Sequence, residues 1–541
     1  MHFKSVLATT CLVTSVLALE NPHKRAPKKV HTGRPAPARR SLDKRQQSSY
    51  LNDDTKKFAV NGTGVPMVDF DIGESYAGTL PIDGNSTNEN QLFFWFFPSD
   101  NPDAGDEITI WLNGGPGCSS LDGLLQEHGP FLWQSGTYAP QPNPFSFVNL
   151  TNMVYVDQPI GTGFSPAAEG APANITDEVD VGRDFSGFWK NFMTTFNMTG
   201  RKVYLTGESY AGQYIPYIAS YMLDQNNADY YNVKGIQIND PSIAEDSVLI
   251  QAPAVTHLNN YANIFALNES FMSDINERAQ KCGYLDFMEK ALTFPPAGKF
   301  IAPNDSAPGC DVWDDIITAE LLINPCFNFY HLTDFCPFLW DELGFPSLAT
   351  GPNNYFNRSD VQKAINAPPT NYAICGDDTL FPDGDLSEPS SYTALPSVIE
   401  RTNNVIVGSG LLDYLLLTNG TLMALNNMTW NGKQGFSSAP SDKFFVPYNP
   451  WIYQVINETE NQPIPATPVG LQAGAGYMGV THTERGLTWV TVDLAGHEIP
   501  QYAPGASYRQ LEFLLGRIGS LTEMGDFTTL NDSYVGNARR L

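Results

Sequence analysis

Ser209 stands in Gly207-Glu-Ser-Tyr-Ala-Gly212, after the apolar run Lys202-Val-Tyr-Leu-Thr206 and before an amphipathic stretch that reaches about Leu223. A hydroxyl becomes a useful nucleophile only when a base takes its proton and a carboxylate orients that base. Strand, tight turn, Ser, helix is an arrangement that strains the turn and lifts Oγ above the strand ends. Gly207, Ala211 and Gly212 supply the small neighbours such a turn needs. Ala211 departs from the strict Gly-x-Ser-x-Gly spacing, and so short a motif by itself also describes an ordinary turn-forming Ser.

The partners follow in chain order. Asp413 comes just after the apolar run Val405-Ile-Val, in Gly408-Ser-Gly-Leu-Leu-Asp413. His497 comes just after Val490-Thr-Val-Asp493, in Ala495-Gly-His-Glu-Ile-Pro500. The order Ser, acid, His, each on a loop after a strand, is that of the α/β-hydrolases. His128, His257 and His331 precede the acid, and His482 lies in a polar stretch, so they fit worse. An oxyanion hole needs two backbone N–H groups. Tyr210, next after the nucleophile, is one candidate. The glycines of Asn113-Gly114-Gly115-Pro116, which allow close backbone approach, offer the other, although Gly-Pro pairs also make plain structural turns.

These loops need a parallel sheet beneath them. Glu107-Ile-Thr-Ile-Trp-Leu112, Asn152-Met-Val-Tyr-Val-Asp157, 202–206, 404–408 and 488–493 read as strands. Val179, Val181, Phe185, Phe188, Trp189, Phe192 and Phe196 recur at helical spacing, and a last helix is expected around 507–517. The alternation predicts an α/β fold. Residues 46–246 and 396–541 are expected to form the core. Between them, 247–395 is rich in Pro, holds five of the cysteines and has short irregular apolar runs, so an insertion is expected there.

The chain has 541 residues, 42% hydrophobic, which leaves ample material for a core. Its formal charge is −27, and no basic stripe follows the N-terminus, so nucleic acid is not an expected partner. Residues 1–18 read as a signal peptide, with Lys4 before an apolar run and Val16-Leu-Ala18 at a cleavage site. Residues 19–45 are basic and poor in apolar side chains, and end in Lys44-Arg45, which suits a dibasic processing protease; they read as a propeptide. Removal of residues 1–45 leaves 21 basic and 56 acidic residues, a net −35. Protonation in an acidic compartment relieves that self-repulsion.

Cys11 leaves with the signal, and six cysteines remain, an even number that permits three disulfides. Twelve N-x-S/T acceptors (Asn61, Asn85, Asn149, Asn174, Asn197, Asn268, Asn304, Asn357, Asn419, Asn427, Asn457 and Asn531) behind a signal peptide predict a glycoprotein of the secretory pathway, secreted rather than vacuolar. No hydrophobic tail suggests a membrane span or lipid anchor. No His-Glu-x-x-His or paired Cys-x-x-Cys signature occurs, so neither metal nor cofactor is expected.

Three motifs, Trp111-Leu-Asn-Gly-Gly-Pro-Gly-Cys-Ser-Ser120, Asp157-Gln-Pro-Ile-Gly-Thr-Gly-Phe-Ser165 and Gly207-Glu-Ser-Tyr-Ala-Gly212, together resemble the serine carboxypeptidases over about Phe70 to Arg517, with the look of secreted fungal members. The resemblance implies an α/β-hydrolase fold with an insertion near the active site, and release of single C-terminal residues from peptides and proteins at acid pH. It assigns the triad to Ser209, Asp413 and His497 and the oxyanion donors to Gly115 and Tyr210. The substrate carboxylate falls to Asn113, Glu127 and Glu208, with Gly114 and Trp111 in support. It also implies a Cys118–Cys375 disulfide; for the other four, the nested pairs Cys282–Cys336 and Cys310–Cys326 are expected.

Two departures bear on specificity. Glu498 stands where family members carry Met after the catalytic His, and is expected to make the leaving-residue pocket tolerant of Lys or Arg. Asn239-Asp-Pro-Ser242 replaces an Asn-Gly turn; Asp240 is expected either to favour basic penultimate residues or to serve as a turn or cap. Leu416 is expected as a wall of the other pocket. An acyltransferase, esterase or lyase on the same scaffold is the rival enzyme, since fold does not fix reaction; a non-catalytic glycoprotein is the second rival.

Overall fold

The computed structural model describes residues 50–530, apart from 84–89, 138, 169–174, 335, 337–342, 344–353, 377–379 and 450–473. The signal and propeptide segments, and the acceptors Asn85, Asn174, Asn457 and Asn531, lie outside the described residues.

Eleven strands form one sheet: β1 (Ala59–Val60), β2 (Ser75–Pro81), β3 (Gln91–Phe97), β4 (Glu107–Leu112), β5 (Met153–Asp157), β6 (Lys202–Glu208), β7 (Val233–Asn239), β8 (Val405–Gly410), β9 (Asp442–Val446), β10 (Gly476–Glu484) and β11 (Leu487–Val492). Their spatial order is β1-β2-β3-β5-β4-β6-β7-β8-β11-β10-β9. The middle run from β5 to β11 is parallel throughout. Antiparallel strands flank it on both sides. Parallel strands are covered on both faces and read as continuous apolar runs, and β4 and β11 are buried at every position. The period of two divides β3 between the faces. Phe94 and Phe96 join one core cluster, and Phe93, Trp95 and Phe97 the other.

On the first face lies helix α1 (Glu178–Thr195), whose start is fixed by Asp177 accepting from the N–H groups of Val179 and Asp180. Its Phe192 ring meets Phe94 and Phe96 edge-on, at 5.2 and 5.6 Å between centroids. Helix α2 (Ala211–Asp224) follows β6 directly. The final helix runs from Pro504 to Leu514, slightly earlier than its apolar pattern suggests, because Pro at the first turn starts a helix without losing a hydrogen bond.

The described part of the insertion between β7 and β8 is less irregular than its sequence suggests, with helices at Ala252–Asn260, Glu269–Lys281, Tyr284–Ala291 and Val312–Ile323. They surround a third cluster that takes in Leu412, Tyr414 and Leu417 from the loop after β8. The disulfides are Cys118–Cys375, as expected, and Cys282–Cys310 and Cys326–Cys336. The nested expectation is thus corrected: each of the last two closes a local loop. Cys282 and Cys310 meet because Arg278, one turn before Cys282, ties down the carbonyls of Gly309 and Asp311.

Several carboxyls are buried in the interior. Burial, then Asp385 and Asp177, push Glu178 well above the carboxylate range, and burial lifts Glu107 to about 7 against the opposing Arg517. Such groups bind protons more tightly folded than unfolded. Their stability is therefore complete at low pH and is lost as pH rises from the unfolded value near 4 through the folded one. For one such group, each pH unit between the unfolded and folded values removes about 1.4 kcal/mol. Calorimetric Tm is expected to fall between about pH 5 and 8; a Tm that climbs over that interval would contradict the raised proton affinity of these buried carboxyls.

Candidate active site

Ser209 directly follows β6 with φ 61°, a strained conformation for Ser. The turn is held by its N–H donating to Asn239 O at 3.0 Å and its carbonyl accepting from Gly212 and Ser242 N–H, both at 2.9 Å. Glycine is required beside it. A Cβ on Gly207 would lie 2.1 Å from Leu112 O, and one on Gly212 2.6 Å from Ser242 O. Ala211 fits where the strict motif has Gly, packing at the position Gly207 leaves open.

Asp413 and His497 leave β8 and β11, neighbours in the sheet. His497 Nδ1 meets Asp413 Oδ2 at 2.8 Å, both side chains almost wholly buried. Asp413 Oδ1 accepts from the N–H groups of Leu415, at 2.7 Å, and Leu416, at 3.3 Å. That fixes the carboxylate and, through it, the imidazole tautomer with its proton on Nδ1. Nε2 is buried and has no partner among the described residues; no hydrogen bond joins it to Ser209. Between the two loops runs a segment of the insertion. His497 N–H donates to Tyr330 O, Tyr414 N–H to Phe329 O, and Leu332 N–H to Leu412 O. Gly496 makes room for it, since a Cβ there would lie 2.1 Å from Tyr330 O.

The glycine loop after β4 closes against the serine turn. A Cβ on Gly114 would sit 2.4 Å from Tyr210 N and 2.7 Å from Ser209 Cβ. Among the described residues, neither the Gly115 nor the Tyr210 N–H donates to a protein acceptor, the condition an oxyanion site requires. Tyr210 N also opens helix α2, whose N-terminus favours negative charge. The second sequence motif holds this loop in place. Asp157 accepts from Ser119 Oγ at 2.6 Å, Ser120 N at 3.0 Å and Phe164 N at 2.8 Å. Tyr214 accepts from Gly117 N at 3.1 Å, and the Cys118–Cys375 bond secures the far side.

Asn113, Glu127 and Glu208 lie together in the structure. Asn113 Oδ1 accepts from Trp111 Nε1 at 2.7 Å and Gly123 N at 3.1 Å, so its amide nitrogen must point to Glu208 Oε1, 3.0 Å away. Glu127 sits on a single π-helical turn, Gly123–His128, which packs against Trp111; such turns often re-aim a side chain at a site. One oxygen each from Asp122, Glu127 and Glu208 lies within 4.8 Å of the others. Burial, then Asp122, pushes Glu127 well above the carboxylate range. Burial, then Glu127, Glu498 and Asp122, does the same to Glu208. Trp111 has no exposure and works by orienting Asn113.

The pocket residues fare unevenly. Glu498 is half-buried, and its charge reaches Glu208 and Tyr330, which places it beside the carboxyl cluster. Leu416 is instead packed in the core at 5% exposure and serves the site through its N–H. Asp240 has no exposure and turns inward to Gly410 N at 2.8 Å; it is not the charged wall of an open pocket. Asp122 and Tyr330 escaped the sequence reading. Asp122 lies within the glycine motif's continuation, and Tyr330 between Cys326 and Cys336, a spacing that hinted at a pinned loop.

The profile of the Peptidase_S10 family, described as serine carboxypeptidase, matches residues 66–516. The chain is 52% identical over 533 residues to a carboxypeptidase Y homolog of Arthroderma benhamiae, covering 97% of this chain and all of that one. It is 42% identical over 552 residues to serine-type carboxypeptidase F of Aspergillus niger, covering 96% and 100%. Among solved structures, the prohormone-processing carboxypeptidase Kex1 of Saccharomyces cerevisiae superposes with TM-score 0.63 at 22% identity, over 87% of this chain and 98% of that one, a likeness of fold. With its α/β-hydrolase sheet and a family match spanning most of its length, this chain belongs to the serine carboxypeptidase family.

Proposed function

We propose that the chain removes single amino acids from peptide and protein C-termini at acid pH, by acyl transfer through Ser209. The observation that carries the reading is the buried carboxyl pair Glu127 and Glu208, of which Glu208 stands next to the nucleophile in the chain and accepts from the Asn113 amide. An endopeptidase has no use for such a cluster. A carboxyl that retains its proton donates a hydrogen bond to the free α-carboxylate of a chain end, and the Asn113 amide adds a second donor. Ser209 Oγ attacks the last peptide carbonyl while His497 Nε2 takes its proton, with Asp413 stabilising the imidazolium. Gly115 and Tyr210 N–H groups receive the oxyanion. His497 then protonates the departing amine, and water releases the acyl group by the same steps.

The processing reading is also proposed. Residues 1–18 direct the chain to the secretory pathway, a protease cleaves after Arg45, and the enzyme is exported rather than kept in a vacuole. Among the described residues no helix is long and apolar enough to cross a membrane. Asn61, Asn197, Asn268 and Asn304 are exposed and suit glycosylation. Asn149 does not, being buried with its amide donating to Pro144 O. Asn357, whose amide bonds both backbone groups of Tyr372, is also poorly presented.

Gly114→Ala forces the glycine loop off the serine turn; kcat is expected to fall at least about a hundredfold, the scale of losing one oxyanion donor, with Tm little changed. Steady-state kinetics beside calorimetry would check this, and near-normal kcat would refute the placement of that loop. As pH rises, Glu127 and Glu208 ionise and repel the substrate carboxylate, so KM is expected to rise toward neutrality. Glu127→Gln with Glu208→Gln keeps donors at every pH: kcat/KM at acid pH should drop about tenfold while the fall with pH moves upward. An unchanged pH profile would count against the role. Glu498→Met should shift preference from C-terminal Lys toward Leu by about tenfold in relative kcat/KM; equal preferences in variant and parent would remove Glu498 from the leaving-residue pocket.

A further inference from the structure

Asp240 follows β7 at φ 41°, a left-handed conformation that glycine adopts more easily. A carboxyl kept at such a position calls for a use. The side chain has no exposure. Its backbone N–H donates to Gly408 O, and its Oδ1 accepts from Gly410 N, both at 2.8 Å. Oδ2 is buried with no donor among the described residues, and the Asp240 carboxyl lies within hydrogen-bonding reach of that of Asp413. The other groups facing Asp240 are the Ser409 hydroxyl and, across Asp413, the ring of His497. No Lys or Arg among the described residues pairs with either acid.

Two buried carboxyls in contact cannot both ionise without a cation. The donors decide which one is the anion. Asp413 receives the N–H groups of Leu415 and Leu416 and Nδ1 of His497. Asp240 receives the Gly410 N–H, while the Ser409 hydroxyl bonds Thr418 Oγ1 at 2.9 Å. Asp413 is therefore better served as the charged partner. Its remaining need is for something that keeps Oδ2 turned to His497.

We propose that Asp240 is a proton-bearing positioning residue, donating a hydrogen bond from its carboxyl to Asp413 so that the pair carries one negative charge and Asp413 stays aimed at His497. Burial and the charge of Asp413 hold the Asp240 proton well above the usual carboxylate range. When that proton leaves, the hydrogen bond becomes a contact between like charges beneath the imidazole, and the relay loses its geometry. The enzyme thus has an alkaline limit inside its triad, separate from the limit set by Glu127 and Glu208. The inference rests on the proposed Ser209–His497–Asp413 relay.

The test uses the processed full-length enzyme with Asp240→Asn and Asp240→Gly. The acylation burst from p-nitrophenyl acetate is followed against pH, because that ester has no free carboxylate and leaves Glu127 and Glu208 out. Asn keeps a donor for Asp413 and an acceptor for Gly410 at every pH. It should match the parent within about threefold at acid pH and retain its burst where the parent's declines. Gly suits the backbone but removes the donor, and should lose about tenfold. The infrared difference between parent and Asp240→Asn at neutral pH should show a protonated-carboxyl band that shifts in D2O. Absence of that band, equal pH profiles for parent and Asn, or an undiminished burst in Gly would each overturn the proposal. A full burst in Asp413→Asn would overturn the relay itself, a failure distinct from that of the Asp240 pairing.

Discussion

Glu127 and Glu208 face each other in the interior, with Asp122 and Glu498 close by and no Lys or Arg paired to them among the described residues. A medium that solvates charge poorly makes such a group of acids hold protons it would release in water. That constraint runs through the molecule. In the proposed function it turns residues that would repel a chain end into donors that recognise one, and it ties recognition to acid conditions. The same physics acts on Glu178 and Asp240, away from the substrate. An acid-rich composition is thus more than a surface property here; part of it is buried around the site.

Precision is supplied by close backbone contact. The serine turn, the glycine loop, the acid loop and the histidine loop meet where glycine leaves space for a neighbouring carbonyl or amide. Gly114 lies against Tyr210, Gly410 against Gly496 O at 2.1 Å from an added Cβ, and Gly496 against Tyr330 O. Such contacts leave the loops little room to shift, and the proposed chemistry depends on orientation. The insertion belongs to this framework. Its 328–332 segment bonds to the acid loop on one side and to His497 on the other, and Cys326–Cys336 closes the loop that carries it.

The residues whose chemistry is local were legible from the chain. The runs at 107–112, 202–206 and 488–493 read as strands because they are apolar without break, and a central parallel strand is buried on both faces. Ser209 could be picked out because an elbow needs small residues at fixed offsets. The strand Gly476–Glu484 was passed over because it pairs antiparallel near the sheet edge and alternates in burial, so it looks polar. The insertion looked irregular because its helices are short and mean little without the core they cover.

The order Ser209, Asp413, His497 and the family motifs were therefore determined by sequence alone, since strand ends and tight turns announce themselves through spacing and residue size. What only the tertiary structure decided is which buried groups touch. The pairing of Cys282 with Cys310, the loop of Tyr330 beneath His497, the core position of Leu416 and the meeting of Asp240 with Asp413 all join segments distant in the chain or turned in space. Proximity of that kind, with the dielectric around it, is set by packing and leaves no local pattern to read.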